Sequence, residues 1–101
     1  MIKTMEDDRI IMDKVEKEIC KEFNVNSYAL VDLDTSNNTS IARMFLFYIL
    51  HHEYNFSYNK IASNYNRTIR SVFRNCAKNK VLLKQRGYKT IYDNILNRLD
   101  N

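Results

Sequence analysis

The 101-residue chain contains no proline, no tryptophan and a single glycine. All-β folds need many tight turns, which Gly and Pro supply, so their near absence favours helices joined by Asn, Ser and Asp. No apolar run approaches the roughly 18 residues of a membrane-spanning helix. Residues 1–8 turn acidic without the apolar core of a secretion signal. We therefore expect a cytoplasmic protein that has no membrane partner.

Acidic side chains are missing from residues 54–92, a stretch of 39 residues that carries nine basic side chains. Residues 1–53 hold six Lys/Arg and ten Asp/Glu, a net charge of −4, whereas residues 54–101 hold ten and two, a net charge of +8. A chain that separates its charges in this way builds one basic face, and such a face attracts a polyanion. The nine basic residues are Lys60, Arg67, Arg70, Arg74, Lys78, Lys80, Lys84, Arg86 and Lys89.

Residues that could carry chemistry are few and poorly spaced for it. Cys20 and Cys76 fit neither a zinc motif nor a redox motif, so we expect buried free thiols. His51 and His52 have no third ligand at metal-binding spacing. No carboxylate pair and no nucleophile with a matching base stand out. The sequence therefore predicts a protein that is not an enzyme and that uses no metal and no cofactor.

Apolar residues recur at spacings of three and four along most of the chain, which predicts helices. The first helix is expected over residues 5–24, with Thr4 and Asp7 forming a capping box, followed by a short helical turn and a loop. At the other end, Gly87 should break the chain before a last amphipathic helix over residues 88–99. The expected fold class is all-α, a single domain of five or six helices.

A third helix should begin behind Thr39 or Ser40 and extend to about Tyr54. It is rich in large apolar side chains, so we expect it to be the central and most buried helix. The same spacing places His52 on its apolar side.

Residues 57–80 show the pattern of a helix, a tight turn and a second helix. Ser57 is placed to cap the first helix, Asn66 suits the left-handed position that stops it, and Thr68 is placed to cap the second. In a helix-turn-helix the second helix presents its N-terminal side chains to base edges in the major groove, while the first lies across the backbone. The residues expected to face the core from the second helix are Val72, Phe73 and Cys76.

Polar and basic side chains recur on one side of that second helix. Arginine can fork onto guanine or grip phosphates, and an apolar side chain at the helix start can touch a thymine methyl. We therefore predict that the partner is double-stranded DNA. The residues predicted to bind it in and around the helix-turn-helix are Ser57, Lys60, Arg67, Thr68, Ile69, Arg70, Ser71, Arg74 and Lys78.

Three stretches resemble the C-terminal DNA-binding domain of the bacterial chromosomal replication initiator DnaA. They are residues 42–50, in which Arg43 stands near the start of a long apolar helix, residues 57–61, and residues 65–72. The resemblance implies a Trp-repressor-like helical fold, as in domain IV of that initiator, that docks on duplex DNA. The initiator's nucleotide-binding portion is not expected, because no Gly-x4-Gly-Lys-Ser/Thr motif occurs.

The resemblance also assigns roles to single residues, and it fails at the residues that read bases. Arg43 falls on the family's minor-groove arginine and Arg67 on the arginine of its motif. The family's Asp-His base-reading pair is replaced by Thr68 and Ile69. We therefore expect DNA docking in a replication initiator-like or transcriptional role, but little preference for the family's target box.

The acidic first helix supports a different prediction. Its carboxylates could hold a basic protein partner, in which case the chain would be a non-catalytic helical interaction module. Charge reversal at Arg70 and Arg74 separates the two functions, because it should abolish binding only if the basic helix holds the partner.

Overall fold

Six α-helices and the turns between them make up the two segments that the computed structural model describes, residues 7–31 and 37–100. No strand occurs within these segments, so the predicted all-α class and helix number are confirmed. None of their helices is both long enough and apolar enough to cross a membrane. In chain order the helices are α1 (Asp8–Phe23), α2 (Ser27–Val31), α3 (Asn37–His52), α4 (Tyr58–Tyr65), α5 (Ile69–Leu82) and α6 (Arg86–Asp100).

The central helix is α3, as its apolar content predicts. It packs against α1, α2, α4 and α5, while α6 packs on α1. The ring of Phe45 on α3 lies 5.0 Å from Phe23, 6.2 Å from Tyr88 and 6.3 Å from Tyr92, measured between centroids. Burying one such apolar side chain contributes about 2 kcal/mol. Because α5 also packs on α3, the central helix sets the position of α5 in the fold.

Three helices begin at polar caps. The side chains of Asp7, Ser57 and Thr68 accept hydrogen bonds from backbone N–H groups in the first turns of α1, α4 and α5. The predicted caps Ser57 and Thr68 are therefore confirmed. The first helix begins at Asp8 instead of residue 5, because Asp7 itself is the N-cap. Thr4, the other half of the predicted capping box, lies outside the described residues.

Asparagine takes the place of glycine where the chain needs a left-handed residue. Asn24 and Asn66 both have φ 55° and end α1 and α4, and Asn55 has φ 62° in the connection after α3. The prediction for Asn66 is confirmed, whereas the prediction that Gly87 breaks the chain is wrong. Gly87 lies in the first turn of α6 without a positive φ. The break falls at residues 83–85, whose N–H groups bond carbonyls three or four residues back.

The start of α3 also differs from the prediction. The helix begins at Asn37, and not behind Thr39 or Ser40. The side-chain amide of Asn38 donates a hydrogen bond to the carbonyl of Phe23 and ties this start to the end of α1. Thr39 is buried inside the helix, with 3% of its surface exposed. The first turn of α3 is therefore joined to the end of α1 by a tertiary contact.

Two side chains expected in the core lie outside it. His52 is exposed and its ring stacks on Tyr48 at 5.0 Å. Phe73 is 55% exposed and meets the ring of Tyr58 edge-on at 5.5 Å. Because α5 turns Val72 to the core at 0% exposure, the next residue along the helix is rotated outward by about 100°.

Candidate nucleic-acid interface

Two helices, α4 and α5, are joined by a turn of three residues. The backbone N–H groups of Asn66 and Arg67 both donate to the carbonyl of Ala62, which closes α4. The hydroxyl of Thr68 then accepts from the N–H of Ser71 at 3.0 Å, which opens α5. The chain therefore changes direction within a turn that is closed by backbone bonds on one side and by the cap on the other. The pair is anchored to the core by Ile61, Ala62, Tyr65, Val72 and Cys76.

The exposed face of α5 carries cations that have no acidic partner among the residues that the structure describes. Arg70, Arg74 and Lys78 are four residues apart, so they share one side of the helix. None of the three forms an ion pair with any residue in segments 7–31 and 37–100. The same holds for three further exposed cations on α5 and just beyond it. We call the whole set the basic surface: Arg70, Arg74, Lys78, Lys80, Lys84 and Arg86.

The spacing of these charges suits a polyanion. Arg70 and Lys80 are ten residues apart, about 15 Å along the helix axis at 1.5 Å per residue. Duplex DNA carries one phosphate charge per roughly 1.7 Å of its own axis. Neighbouring cations on α5 repel one another, because salt screens charges only beyond a Debye length of about 8 Å at physiological ionic strength. An anionic partner relieves that repulsion and gains attraction at the same time.

Side chains near the start of α5 extend this surface towards the turn. Arg67 is half-buried at the turn, and Thr68 is exposed with its hydroxyl oxygen used as the N-cap. Ile69 is 51% exposed, and Arg70 beside it is exposed. Ser71 is half-buried. The structure thus brings five of the predicted site residues together in one turn and a half of chain.

The acidic helix α1 is arranged in the opposite way, beginning with Glu16. This carboxylate is only 8% exposed and accepts hydrogen bonds from Arg9 at 2.8 Å and from the hydroxyl of Tyr65. Arg9 also contacts Asp13 at 2.9 Å. Burial, and then the bond to Glu16, raise the pKa of Tyr65 above its ordinary value. The network fastens α4 to α1 and leaves neither carboxylate without a cation.

The C-terminal half of α1 is neutralised from α6. Arg98 donates from Nε to Glu18 at 2.7 Å and from Nη2 to Glu22 at 2.8 Å. The two carboxylates are mostly covered, with 16% and 22% of their side-chain surface exposed. One guanidinium therefore satisfies two acids and joins the last helix to the first.

Lys60, predicted as a DNA-binding residue, faces α1 as well. Its ammonium group forms an ion pair with Asp8 and lies 5.1 Å from the centroid of the Phe56 ring. Ser57, in the same turn, is exposed and accepts a hydrogen bond from the N–H of Lys60 at 3.0 Å. Lys60 is therefore not part of the basic surface, whereas Ser57 stands at the exposed start of α4.

Arg43 lies in the interior, with 8% of its surface exposed. Its Nε donates to the carbonyl of Leu30 at 2.9 Å and its Nη2 to that of Ala29 at 3.1 Å. These carbonyls belong to the last turn of α2, where a helix leaves its carbonyl groups without internal partners. In this structure Arg43 caps α2, and the expectation of a minor-groove contact has no geometric support. The sequence does contain a signal for this role, because Arg43 is the single charged residue among the apolar side chains of residues 41–50.

A cleft lined largely by aromatic rings, called here the aromatic cleft, lies beside α5 and was not predicted from the sequence. It has a volume of about 340 Å³ and lies between the end of α3, the start of α4 and the middle of α5. The His51 ring stacks on Tyr58 at 4.1 Å, and its Nδ1–H donates to the carbonyl of Phe56 at 2.8 Å.

Burial raises the pKa of the Cys76 thiol to about 12, so this group is protonated and unreactive at neutral pH. Within the described segments no three His, Cys, Asp or Glu side chains are grouped to hold a metal.

Comparison of the chain with family models, with curated proteins and with solved structures gave no match. The candidate interface is therefore defined by its own geometry and charge. The resemblance to the initiator domain stays a prediction from the sequence.

Proposed function

We propose that this protein binds double-stranded DNA, with α5 in the major groove and α4 across the backbone. The observation that carries the proposal is the basic surface, six exposed cations that have no ion pair within the described segments. Cations that stabilise this fold contact carboxylates or carbonyls at a helix end, as Arg98 and Arg43 do. Cations without such partners are available to phosphates.

The shape of α4 and α5 favours duplex DNA over other polyanions. A major groove about 12 Å wide admits one α-helix, and a helix-turn-helix inserts the N-terminal part of its second helix. That part of α5 carries Ile69 and Arg70, both exposed, next to the cap Thr68. Exposed polar groups at the start of α4, such as Ser57, are placed to contact the backbone.

The resemblance to the initiator domain adds the biological setting. We propose sequence-preferring binding in a replication initiator-like or transcriptional role, with no catalysis and no cofactor. The target sequence differs from the family's box, because Thr68 and Ile69 replace its base-reading pair. Losing a bidentate base contact costs about 1–3 kcal/mol of discrimination.

The interaction module built on the acidic helix has less support. All five acidic side chains of α1 already have a cationic partner within the chain. A basic protein would have to displace those partners before it could bind. No observation on α1 favours this second function.

Salt dependence tests the proposal. With about five phosphates contacted, the logarithm of the affinity should fall with the logarithm of salt at a slope of about −4 to −5. Fluorescence anisotropy with a labelled mixed-sequence duplex measures this slope between ~50 and ~200 mM salt, over which the affinity should fall by about 10²–10³-fold. No binding at the lowest salt, or binding that salt does not change, would contradict DNA binding by this surface.

A further inference from the structure

Large apolar side chains are exposed on α5 in a row. Ile69, Phe73 and Val81 are 51%, 55% and 59% exposed, and with Ala77 they form a ridge with a spacing of four residues. Isolated apolar side chains on a surface need no explanation, but a contiguous set marks a place of contact. This ridge runs beside the row of Arg70, Arg74 and Lys78, because both rows follow the same i, i+4 direction.

The half-exposed ring of Phe73 packs against a group of aromatic rings. Its ring meets Tyr58 at 5.5 Å and an interplanar angle of 88°. Tyr58 is itself stacked on His51 at 4.1 Å, and His51 is held by its bond to the carbonyl of Phe56. A side chain whose conformation is already restricted loses little entropy when a partner covers it. The aromatic cleft thus presents Phe73 outward in a defined orientation.

Resting on the proposed function, we infer that Ile69 and Phe73 contact the C5-methyl groups of thymine and make the protein prefer thymine at the base pairs facing the start of α5. The thymine methyl is the apolar group that base edges offer in the major groove. The row of Arg70, Arg74 and Lys78 would hold phosphates along one side of the ridge while Ile69 and Phe73 face the bases. This arrangement fits a partner that offers apolar groups beside a line of negative charge.

Val81 supplies a matched control on the same ridge. It is as exposed as Phe73, but it lies twelve residues after Ile69, about 18 Å further along the helix. Base contacts in a helix-turn-helix come from the N-terminal part of the second helix. Val81 is therefore as apolar and exposed as the other residues of the ridge, but we expect it to lie too far along α5 to reach the bases.

The experiment compares an alternating A·T duplex with the same duplex containing deoxyuridine in place of thymidine. Every register of the alternating sequence presents thymine methyls, and the uridine duplex lacks only those groups. Wild-type protein should bind the uridine duplex about tenfold more weakly if two methyls are contacted. Ile69→Ala and Phe73→Ala should each reduce this ratio to about threefold, and the double variant should abolish it. Val81→Ala should keep the full ratio.

Each outcome has a separate meaning. Equal binding of both duplexes by the wild type, with the expected salt slope, would overturn the thymine inference and leave DNA binding intact. Equal losses on both duplexes in the Ile69 and Phe73 variants would overturn it too, since the ridge would then support binding without sensing the methyl. Absence of binding to either duplex at low salt would remove the proposed function itself. Ile69→Ala does not touch the aromatic cleft, so it still decides the question if Phe73→Ala proves unstable in a thermal melt.

Discussion

Helices α1 and α5 are similar in length, with 16 and 14 residues, but they treat charge in opposite ways. The acidic side chains of α1 are matched by cations that come from α1 itself, α4 and α6. The cations of α5 find no acid in the described segments. The net charge of a helix therefore does not show whether its charged side chains have partners within the fold. The acidic side chains of α1 therefore help to join the helices, whereas the cations of α5 have no such role within the described segments.

The difference separates two groups of basic residues. Arg9, Arg43, Lys60 and Arg98 have defined partners within the chain, and those partners lie on α1 or α2. The basic surface has no such partners among the described residues. Removing a residue of the first group should therefore cost stability, whereas removing one of the second should cost affinity only. Substitutions at Arg43 and Arg98 test that division, and a substitution at Asn79 tests the inner face of α5; they follow in order of expected size.

The largest effect is expected at Arg43. Replacing it by methionine leaves the carbonyls of Ala29 and Leu30 buried without their charged donor, which costs about 2–3 kcal/mol. Chemical denaturation should show this loss for Arg43→Met. The matched variant Arg74→Met should stay within about 0.5 kcal/mol of the wild type, since its side chain is exposed.

DNA affinity completes the test of Arg43. Measured at a temperature where the variant is folded, the affinity of Arg43→Met should equal that of the wild type. If instead the variant kept its stability and lost affinity, Arg43 would belong to the interface after all.

A gain of stability is expected on the inner face of α5. Asn79 is fully buried at 0% exposure, and its side-chain amide has no hydrogen-bond partner within segments 7–31 and 37–100. Replacing it by leucine removes a desolvated polar group and should raise the free energy of unfolding by about 1 kcal/mol. The control Asn75→Leu should give no gain, because Asn75 donates to the carbonyl of Ser71 at 2.8 Å. A loss of stability in Asn79→Leu would show that the amide is satisfied in solution.

The smallest effect is expected at the ion pairs of α1. Arg98→Ala removes one guanidinium from two carboxylates, and because Arg98 is exposed the loss should be only about 0.5–1 kcal/mol and should shrink in ~1 M salt. Arg86→Ala, at the other end of the same helix, should change stability by less than about 0.3 kcal/mol. Equal losses in the two variants would contradict the division into paired and unpaired cations.

Local chemistry was predictable from the sequence wherever a single residue decides the backbone. Ser57 and Thr68 cap their helices, and Asn66 stops α4, because capping and the left-handed conformation depend on neighbours only a few residues away. The apolar spacing also identified α3 as the central helix. The turn between α4 and α5 therefore lies where the sequence predicts it.

Long-range contacts explain what the sequence did not reveal. Arg43 finds carbonyls 13 and 14 residues earlier, and Lys60 finds an acid 52 residues earlier, so no local pattern announces either partner. Phe73 is outside because the rotation of α5 is set by its packing on α3. A periodic pattern predicts which side of a helix is apolar, but its edge is uncertain by about one residue. Phe73 lies at the edge of the apolar side of α5. The DNA-binding role itself remains a prediction.

A charge-reversal pair tests the central claim most directly. The double variant Arg70→Glu, Arg74→Glu and the double variant Lys17→Glu, Lys21→Glu change the net charge equally, the first on the basic surface and the second on exposed positions of α1. Titrating a labelled duplex with each at ~100 mM salt should show that the first loses about 10²-fold or more in affinity, through lost phosphate contacts and added repulsion. The second should stay within about threefold of the wild type. Equal losses would mean that only overall charge matters, and retained binding by the first variant would refute α5 as the DNA-binding element.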